Sequence, residues 1–367
     1  MLIVPPLAAA AQATAAVVPV VPNTQWPITQ ITDQYFSAVA GSPRVSGSNV
    51  VWHGHDGNDL EIFMYDGSTT QQLTNNDYMD TAPTVSGSNV VWHGDHNGQD
   101  REIFLYDGST TTRITNNNTN DVEAEISGSN IVWRNSTGDR IFHYDGTTTT
   151  EISSGGGQDP QVDGSTAAWQ NLDGADSDIF HRNLSTGVTT RITNNGYNDD
   201  LVVVSGSRLA WRGNVSIPDR RIFGYDGVSV REIATLNNNN PAIAISGSTV
   251  AWTDEDVFLY DFITDTTTQI TNTPGLDAGS VQISGSNIVW HGFDGNDREI
   301  FLYDGQTITQ ITDNAVNDVR PQIDGSVIVW NVGDSIFVAV PEPTSLSLLA
   351  FAGFIVLKKK GRRRLFS

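Results

Sequence analysis

Three short stretches concentrate groups that could hold a metal ion or move a proton. They are "HGHDGND" from His53, "HGDHNGQD" from His93 and "HGFDGND" from His291. Together they supply His53, Asp56, Asp59, His93, Asp95, Asp100, His291, Asp294 and Asp297, which are the candidate metal ligands. Carboxylates on glycine-containing loops suit calcium, which takes about 6 to 8 oxygen ligands, whereas imidazole favours a transition metal. Calcium is therefore the candidate cofactor. The competing reading is plain turn chemistry copied by duplication, since Asn, Asp and Gly are the commonest turn formers and the spacing matches no EF-hand loop.

Catalytic signatures are missing from the sequence. No Gly-x-Ser-x-Gly, His-Glu-x-x-His or P-loop occurs. Three of the seven histidines sit at one repeat-equivalent position, and His143 follows the Phe of a later strand. A catalytic constellation normally breaks repeat symmetry, so no catalytic residue is assigned and a non-enzymatic protein is expected.

The elements that position these loops follow from an internal repeat. Trp52, Trp92, Trp133, Trp169, Trp211, Trp252, Trp290 and Trp330 recur at spacings of 36 to 42 residues, each after a turn such as "SGS" or "DGS" and a short apolar run. Every unit then carries an apolar pair ending in Phe, commonly followed by "YDG", and a threonine-rich segment such as "TTTRIT". Each unit reads as four short strands, rich in Val, Ile, Thr and aromatics and bounded by Gly, Asn, Asp and Ser. Consecutive apolar residues such as Val90, Val91 and Trp92 indicate a strand covered on both faces. Four-stranded units of about 40 residues stacked in a ring are the signature of a β-propeller. The tryptophans then belong to the core between blades.

The fold class expected is all-β, an eight-bladed β-propeller of four-stranded antiparallel blades closed by an N-terminal strand, with a C-terminal sorting or transmembrane tail. The last unit runs into "PEP" at residue 341 without a fourth strand, while "ITQIT" at residues 28–32 stands alone and repeats residues 308–312. The N-terminal strand is expected to complete the eighth blade and limit exposed edges. In an up-and-down blade, the hairpin from second to third strand and the loop to the next blade open on one face. Units 7, 8, 1 and 2 are neighbours in a closed ring, so the three His-containing loops should share one sector.

Composition bounds the partners. The 367 residues contain no cysteine, so neither disulfides nor thiolate metal sites are available. Residues 1–357 hold 14 arginines and no lysine against 42 acidic residues, a balance of −28. Nucleic acid is excluded as a partner, because phosphate binding needs clustered positive charge. The chain divides into residues 1–15, read as a signal peptide whose start is missing, a linker at 16–26, the propeller at 27–340 and a tail at 341–367. The tail joins Pro341, Glu342 and Pro343 to an apolar stretch and then to a Lys/Arg cluster from Lys358. By the positive-inside rule, everything before that cluster lies across the membrane, although the apolar run is short for a full span of about 20 residues.

Two resemblances extend this reading. The tail resembles the PEP-CTERM sorting signal of Gram-negative bacteria, which implies recognition by an exosortase at Pro341, Glu342 and Pro343, transient inner-membrane anchoring, and a cell-surface or extracellular destination. The repeat resembles the TolB-like, WD40-like propeller repeats of periplasmic and cell-surface proteins over residues 28–338. It departs at the turn, where Ser-Gly-Ser or Asp-Gly-Ser replaces the usual Ser-Pro-Asp-Gly. The expected function is thus an exported, non-enzymatic cell-surface or extracellular-matrix propeller that binds a surface protein or an extracellular polysaccharide. The alternative, implied by metal-using lyases in the TolB-like group, is a metal-dependent polysaccharide-active enzyme.

Overall fold

The computed structural model describes residues 14–15, 20–32, 37–38, 42–96, 98, 100–216, 218–237, 241–273 and 275–341. Eight antiparallel sheets follow one another along the chain. Blade 2 is representative: Asp80–Ser86 is the inner strand, followed by Asn89–His96, Asp100–Tyr106 and the outer Thr111–Arg113. Val90, Val91 and Trp92 are fully or almost fully buried in the second strand because neighbouring blades cover both of its faces. Each tryptophan stacks on the Phe opposite it in the third strand of its own blade, with ring centroids 5.5 to 6.1 Å apart in all eight blades. The cores lie between blades. Val51, Ile62 and Met64 of blade 1, for example, pack against Val90 and Trp92 of blade 2. Burial of such side chains contributes about 1.5 to 3 kcal/mol each and makes every blade depend on its neighbours.

The turn from inner to second strand explains the recurring "SGS". In every blade its glycine has φ between +55° and +61°, a left-handed conformation that an L side chain rarely adopts. The glycine N–H donates to the residue ending the inner strand of the preceding blade. Gly87 N donates to Ser46 Oγ at 3.0 Å, Gly128 N to Ser86 Oγ at 2.9 Å and Gly206 N to Asp163 Oδ2 at 2.7 Å. The series runs around all eight blades and returns on itself where Gly47 N donates to Asp324 Oδ2 at 2.6 Å.

Closure on the outer side is made by the N-terminal strand. Ile28–Gln30 pairs antiparallel with Ser335–Ala339, Ile28 lying opposite Ala339. Thr32 Oγ1 accepts from Ile336 N at 2.9 Å, as Thr312 Oγ1 accepts from Ile300 N at 2.8 Å in blade 7. Ile31 packs with Val329, Ile336 and Val338 of blade 8 against Val50 and Trp52 of blade 1.

Two short extended segments precede this strand. Val20–Pro22, inside the expected linker, lies parallel to Ile308–Gln310 on the outer edge of blade 7. Thr14–Ala15 lies parallel to Thr266–Gln269 on blade 6. Outer strands present unpaired backbone groups, and an extended segment running past them satisfies those groups by pairing. Among the described residues, no helix is long and apolar enough to cross a membrane. The tail from Glu342 onward, including Pro343, lies outside the described residues, as do residues 1–13 of the expected signal peptide.

Deleting residues 1–32 should lower stability by about 3 to 6 kcal/mol, through lost burial of Ile31 and lost backbone pairing, and should promote edge-to-edge association. Deleting only residues 1–26 keeps the closing strand and should cost much less. Thermal melting and sedimentation of the two deletions check this, and equal melting temperatures would contradict the closure.

Candidate functional site

Strand direction places the second-to-third-strand hairpins and the inter-blade loops on one face and the remaining turns on the other. Blades 7, 8, 1 and 2 are consecutive, so the loops after Trp290, Trp52 and Trp92 do occupy one sector. Blade 8, between them, has a two-residue turn at Gly333 and Asp334.

The nine candidate residues do not converge within that sector. Asp56 and Asp59 meet Glu61, and Asp294 and Asp297 meet Glu299; in each trio, one oxygen per carboxylate lies within 4.8 Å of the others. Glu61 and Glu299 lie in strands Leu60–Tyr65 and Arg298–Tyr303, so the loop pattern alone does not single them out. Their signal is the "D-x-E" spacing, since residues i and i+2 of a strand share a side. In blade 2 the hairpin is one residue longer and Asp95 falls opposite Arg101, whose Nε donates to Asp95 Oδ1 at 3.0 Å. Among the described residues, Asp95 and Asp100 join no such trio.

The histidines lie elsewhere for a geometric reason. His53 pairs across the strands with Ile62, while Glu61 pairs with Gly54. Cross-strand partners point to one side and sequence neighbours to opposite sides, so His53 and Glu61 occupy opposite faces of the blade. His93 and His291 pair with Ile103 and Ile300 in the same way. Burial, helped by Arg101 and Arg298 respectively, lowers the His93 and His291 pKa to about 4, so both rings are neutral near pH 7. No group of three potential ligands among the described residues contains a histidine.

Each buried glutamate also begins a chain of hydrogen bonds into the next blade. Glu61 Oε1 accepts from Asn76 N at 2.7 Å, Asn76 Nδ2 donates to Asp80 Oδ2 at 2.8 Å, and Trp92 Nε1 donates to Asp80 Oδ1 at 3.0 Å. Glu299, Asn314, Asp318 and Trp330 repeat the arrangement from blade 7 to blade 8. Glu102, Asn117, Asp121 and Asn135 do so from blade 2 to blade 3. The glycine of "HG" makes room for it: a Cβ on Gly94 would stand 2.0 Å from Asp80 Oδ1. Burial raises the Glu61 and Glu299 pKa to about 7, and that of Asp199, at the Asp80 position of blade 5, to about 6. Asp59 is raised too, by burial first and then by the charge of Asp56.

The opposite face treats its acids differently. Asp66 accepts from the N–H of Thr69 and Ser68, both at 2.8 Å, which lowers its pKa to about 2. Asp107 and Asp145 are held low by the same turn. Those carboxylates are consumed by their own hairpins.

A cleft of about 690 Å³ lies at blade 8, between Pro22 and Asn23 of the N-terminal segment, the Asp313–Val316 loop, Val332 and Phe337. In blade 5 the corresponding loop carries Tyr197, which stacks on Phe223 at 6.3 Å. Blade 8 has Val316 there, 51% exposed, and the space stays open.

No family model matches the chain, and no curated protein sequence matches it. Solved structures do. The computationally designed Ika8 protein is similar with a TM-score of 0.60 at 14% identity, covering 85% of this chain and 98% of Ika8. BamB from Moraxella catarrhalis is similar at 0.51 and 15%, covering 87% of this chain and 98% of BamB. A puromycin-hydrolyzing peptidase of Mycobacterium tuberculosis gives 0.51 and 13%, covering 87% of this chain and 61% of the peptidase. At these identities the likeness is one of fold: the chain is an eight-bladed propeller.

The shifted carboxylates set a pH dependence. Glu61, Glu299 and Asp199 have folded pKa values above their unfolded ones, so the native state holds protons that the unfolded chain has released. Stability should therefore rise as pH falls from about 7 to about 4.5. The turn aspartates have depressed values and act the other way, losing their contribution as pH falls from about 4 toward 2. Melting temperatures measured in chelator across pH 3 to 8 should peak near pH 5, and a steady rise toward pH 8 would contradict this assignment.

Proposed function

We propose that this chain is an exported, non-enzymatic propeller that binds a surface protein or glycan on the face carrying the His- and Asp-containing hairpins. One observation carries the reading, the asymmetry of the two faces. On one face the recurrent aspartates are spent on capping their own turns, as at Asp66 and Asp107. On the other, buried oxygens of Asp59, Glu61, Asp297 and Glu299 meet no N–H donor, and blade 8 opens a cleft where its sister blade is filled. Unspent polar groups and an indentation at a break in the repeat are what a binding face offers. The surface is acidic, which suits neutral glycans and basic protein surfaces.

Export rests on the tail. Its resemblance to PEP-CTERM signals supports sorting through an exosortase at Pro341, Glu342 and Pro343, with transient anchoring in the inner membrane and delivery to the cell surface or beyond. The repeat's resemblance to TolB-like propellers supports the same compartment.

The test is a glycan and surface-protein binding screen on the full chain, scored beside a polysaccharide degradation assay. Binding should weaken about tenfold or more when Val316 is changed to Tyr, which fills the cleft as Tyr197 does in blade 5, and should be indifferent to Ser68→Ala on the opposite face. Soluble product from a polysaccharide would replace this reading with the enzymatic one. For sorting, alanines at Pro341, Glu342 and Pro343 should leave the protein membrane-bound and unprocessed in its native host; normal release would remove the exosortase assignment.

A further inference from the structure

We infer that the chain holds two calcium sites of identical construction, Asp56, Asp59 and Glu61 in the blade 1 hairpin and Asp294, Asp297 and Glu299 in the blade 7 hairpin. Each trio brings one oxygen per carboxylate within 4.8 Å of the others. Oxygens sharing one calcium ion, at about 2.3 to 2.6 Å from it, stand this close to one another. Without a cation, three carboxylates gathered at that distance face one another with no positive group between them.

A second observation points to a ligand. Glu61 and Glu299 are 0% exposed, and each has one oxygen fixed at 2.7 Å by a backbone N–H, of Asn76 and Asn314 respectively. Their other oxygens, Glu61 Oε2 and Glu299 Oε2, are buried and meet no N–H donor, and so are Asp59 Oδ1 and Asp297 Oδ1; Asp59 and Glu61 lie within hydrogen-bond reach of each other, acceptor against acceptor when both are ionised. A buried acceptor left unmade is costly, and native structures seldom leave two together. Glu102 Oε2 in blade 2 is unpartnered as well, so the lone glutamate oxygen belongs to the blade-joining chain. Where the trio forms, the glutamate oxygen is joined by an unpartnered aspartate oxygen, which the described residues of blade 2 lack; blade 4, without a trio, leaves Asp176 Oδ2 unpartnered alone.

The neighbouring charges do not neutralise the trios. Arg298, beside the blade 7 trio, is engaged by Asp277 at 2.5 Å, and the ring beside Asp56 and Asp59 is the exposed His55, whose Nδ1 accepts from Gly57 N at 2.9 Å. Asp80 and Asp77 add further negative charge near the blade 1 trio. The remaining aspartates are pre-formed by the turn: Asp56 Oδ1 accepts from Asn58 N at 2.9 Å and Asp294 Oδ1 from Asn296 N at 2.8 Å, while Gln72 Nε2 donates to Asp56 Oδ2 at 3.1 Å. Three hard oxygen donors and no imidazole select calcium over a transition metal, with water and loop carbonyls completing its shell. This inference is independent of the partner-binding reading, and the binding screen run in chelator separates the two.

Calorimetric titration of the chelator-stripped full chain with calcium chloride should count two ions. Asp294→Asn should remove one and Asp56→Asn with Asp294→Asn both, while Glu102→Gln should leave two. Asparagine keeps the turn-capping oxygen, so the double variant folds; in chelator it should melt at or above the wild-type temperature, because a repulsive charge is gone. In millimolar calcium the order should reverse, the wild type gaining several degrees and the double variant none. Absence of calcium binding by the wild type would overturn the inference. So would a double variant that still binds two ions, or one that is destabilised equally with and without calcium.

Discussion

The hydrogen bond from a left-handed glycine to the end of the preceding blade's inner strand is the constraint on which the molecule rests. A four-stranded blade cannot bury both of its faces alone; it must be held against two neighbours at once. The turn glycine does this at the tightest radius of the ring, because its positive φ turns the N–H away from its own hairpin and toward the preceding blade. Eight such bonds form a closed series, the eighth from Gly47 to Asp324. Closure is thus enforced on the inner side by side chain and backbone, and on the outer side by Ile28–Gln30 pairing with the last strand. The two closures are complementary, the first tying blade 8 to blade 1 and the second supplying the outer strand that blade 8 lacks.

Between these closures lies the buried carboxylate chain. Glu61, Asn76, Asp80 and Trp92 run from the third strand of one blade to the second strand of the next. In a low-dielectric interior such a chain is strong where it is complete and costly where it is not. Its presence explains why the loops into blades 2, 3, 5 and 8 keep an Asn and a terminal Asp while varying between them. It also places Glu61 and Glu299 at the mouths of their hairpins, where Asp59 and Asp297 meet them.

The architecture was legible in the sequence because it is repeated. Eight tryptophans, their spacing and the isolated "ITQIT" led to the blade number, the strand order and the closing strand, and Thr32 makes the hydrogen bond that its repeat partners make. The site was legible only in part. Asp56 and Asp59 stand out as loop acids, yet their third partner, Glu61, is a strand residue whose side is set by register. The same register carries His53 to the other face, which residue type alone cannot reveal. The edge pairing of Val20–Pro22 was not legible at all, since Val and Pro in a row read as linker, and only the free outer edge of blade 7 turns them into a strand.

Where the repeat fails is as informative as where it holds. Blade 4 has Gly157 and blade 7 has Ala278 where blade 2 has Asp80, and in both the indole N–H, of Trp169 and Trp290, is buried without a partner. An unmet buried donor costs about 1 to 3 kcal/mol, so these blades tolerate a loss that blades 2, 5 and 8 avoid. Blade 7 nevertheless keeps Glu299 and hands the chain on to Asp318 of blade 8. It is a weak acceptor of its predecessor and a complete donor to its successor. In blade 7 the chain toward blade 8 and the acidic hairpin share one residue, Glu299, so a change that removes its carboxylate disturbs the blade junction and the trio together.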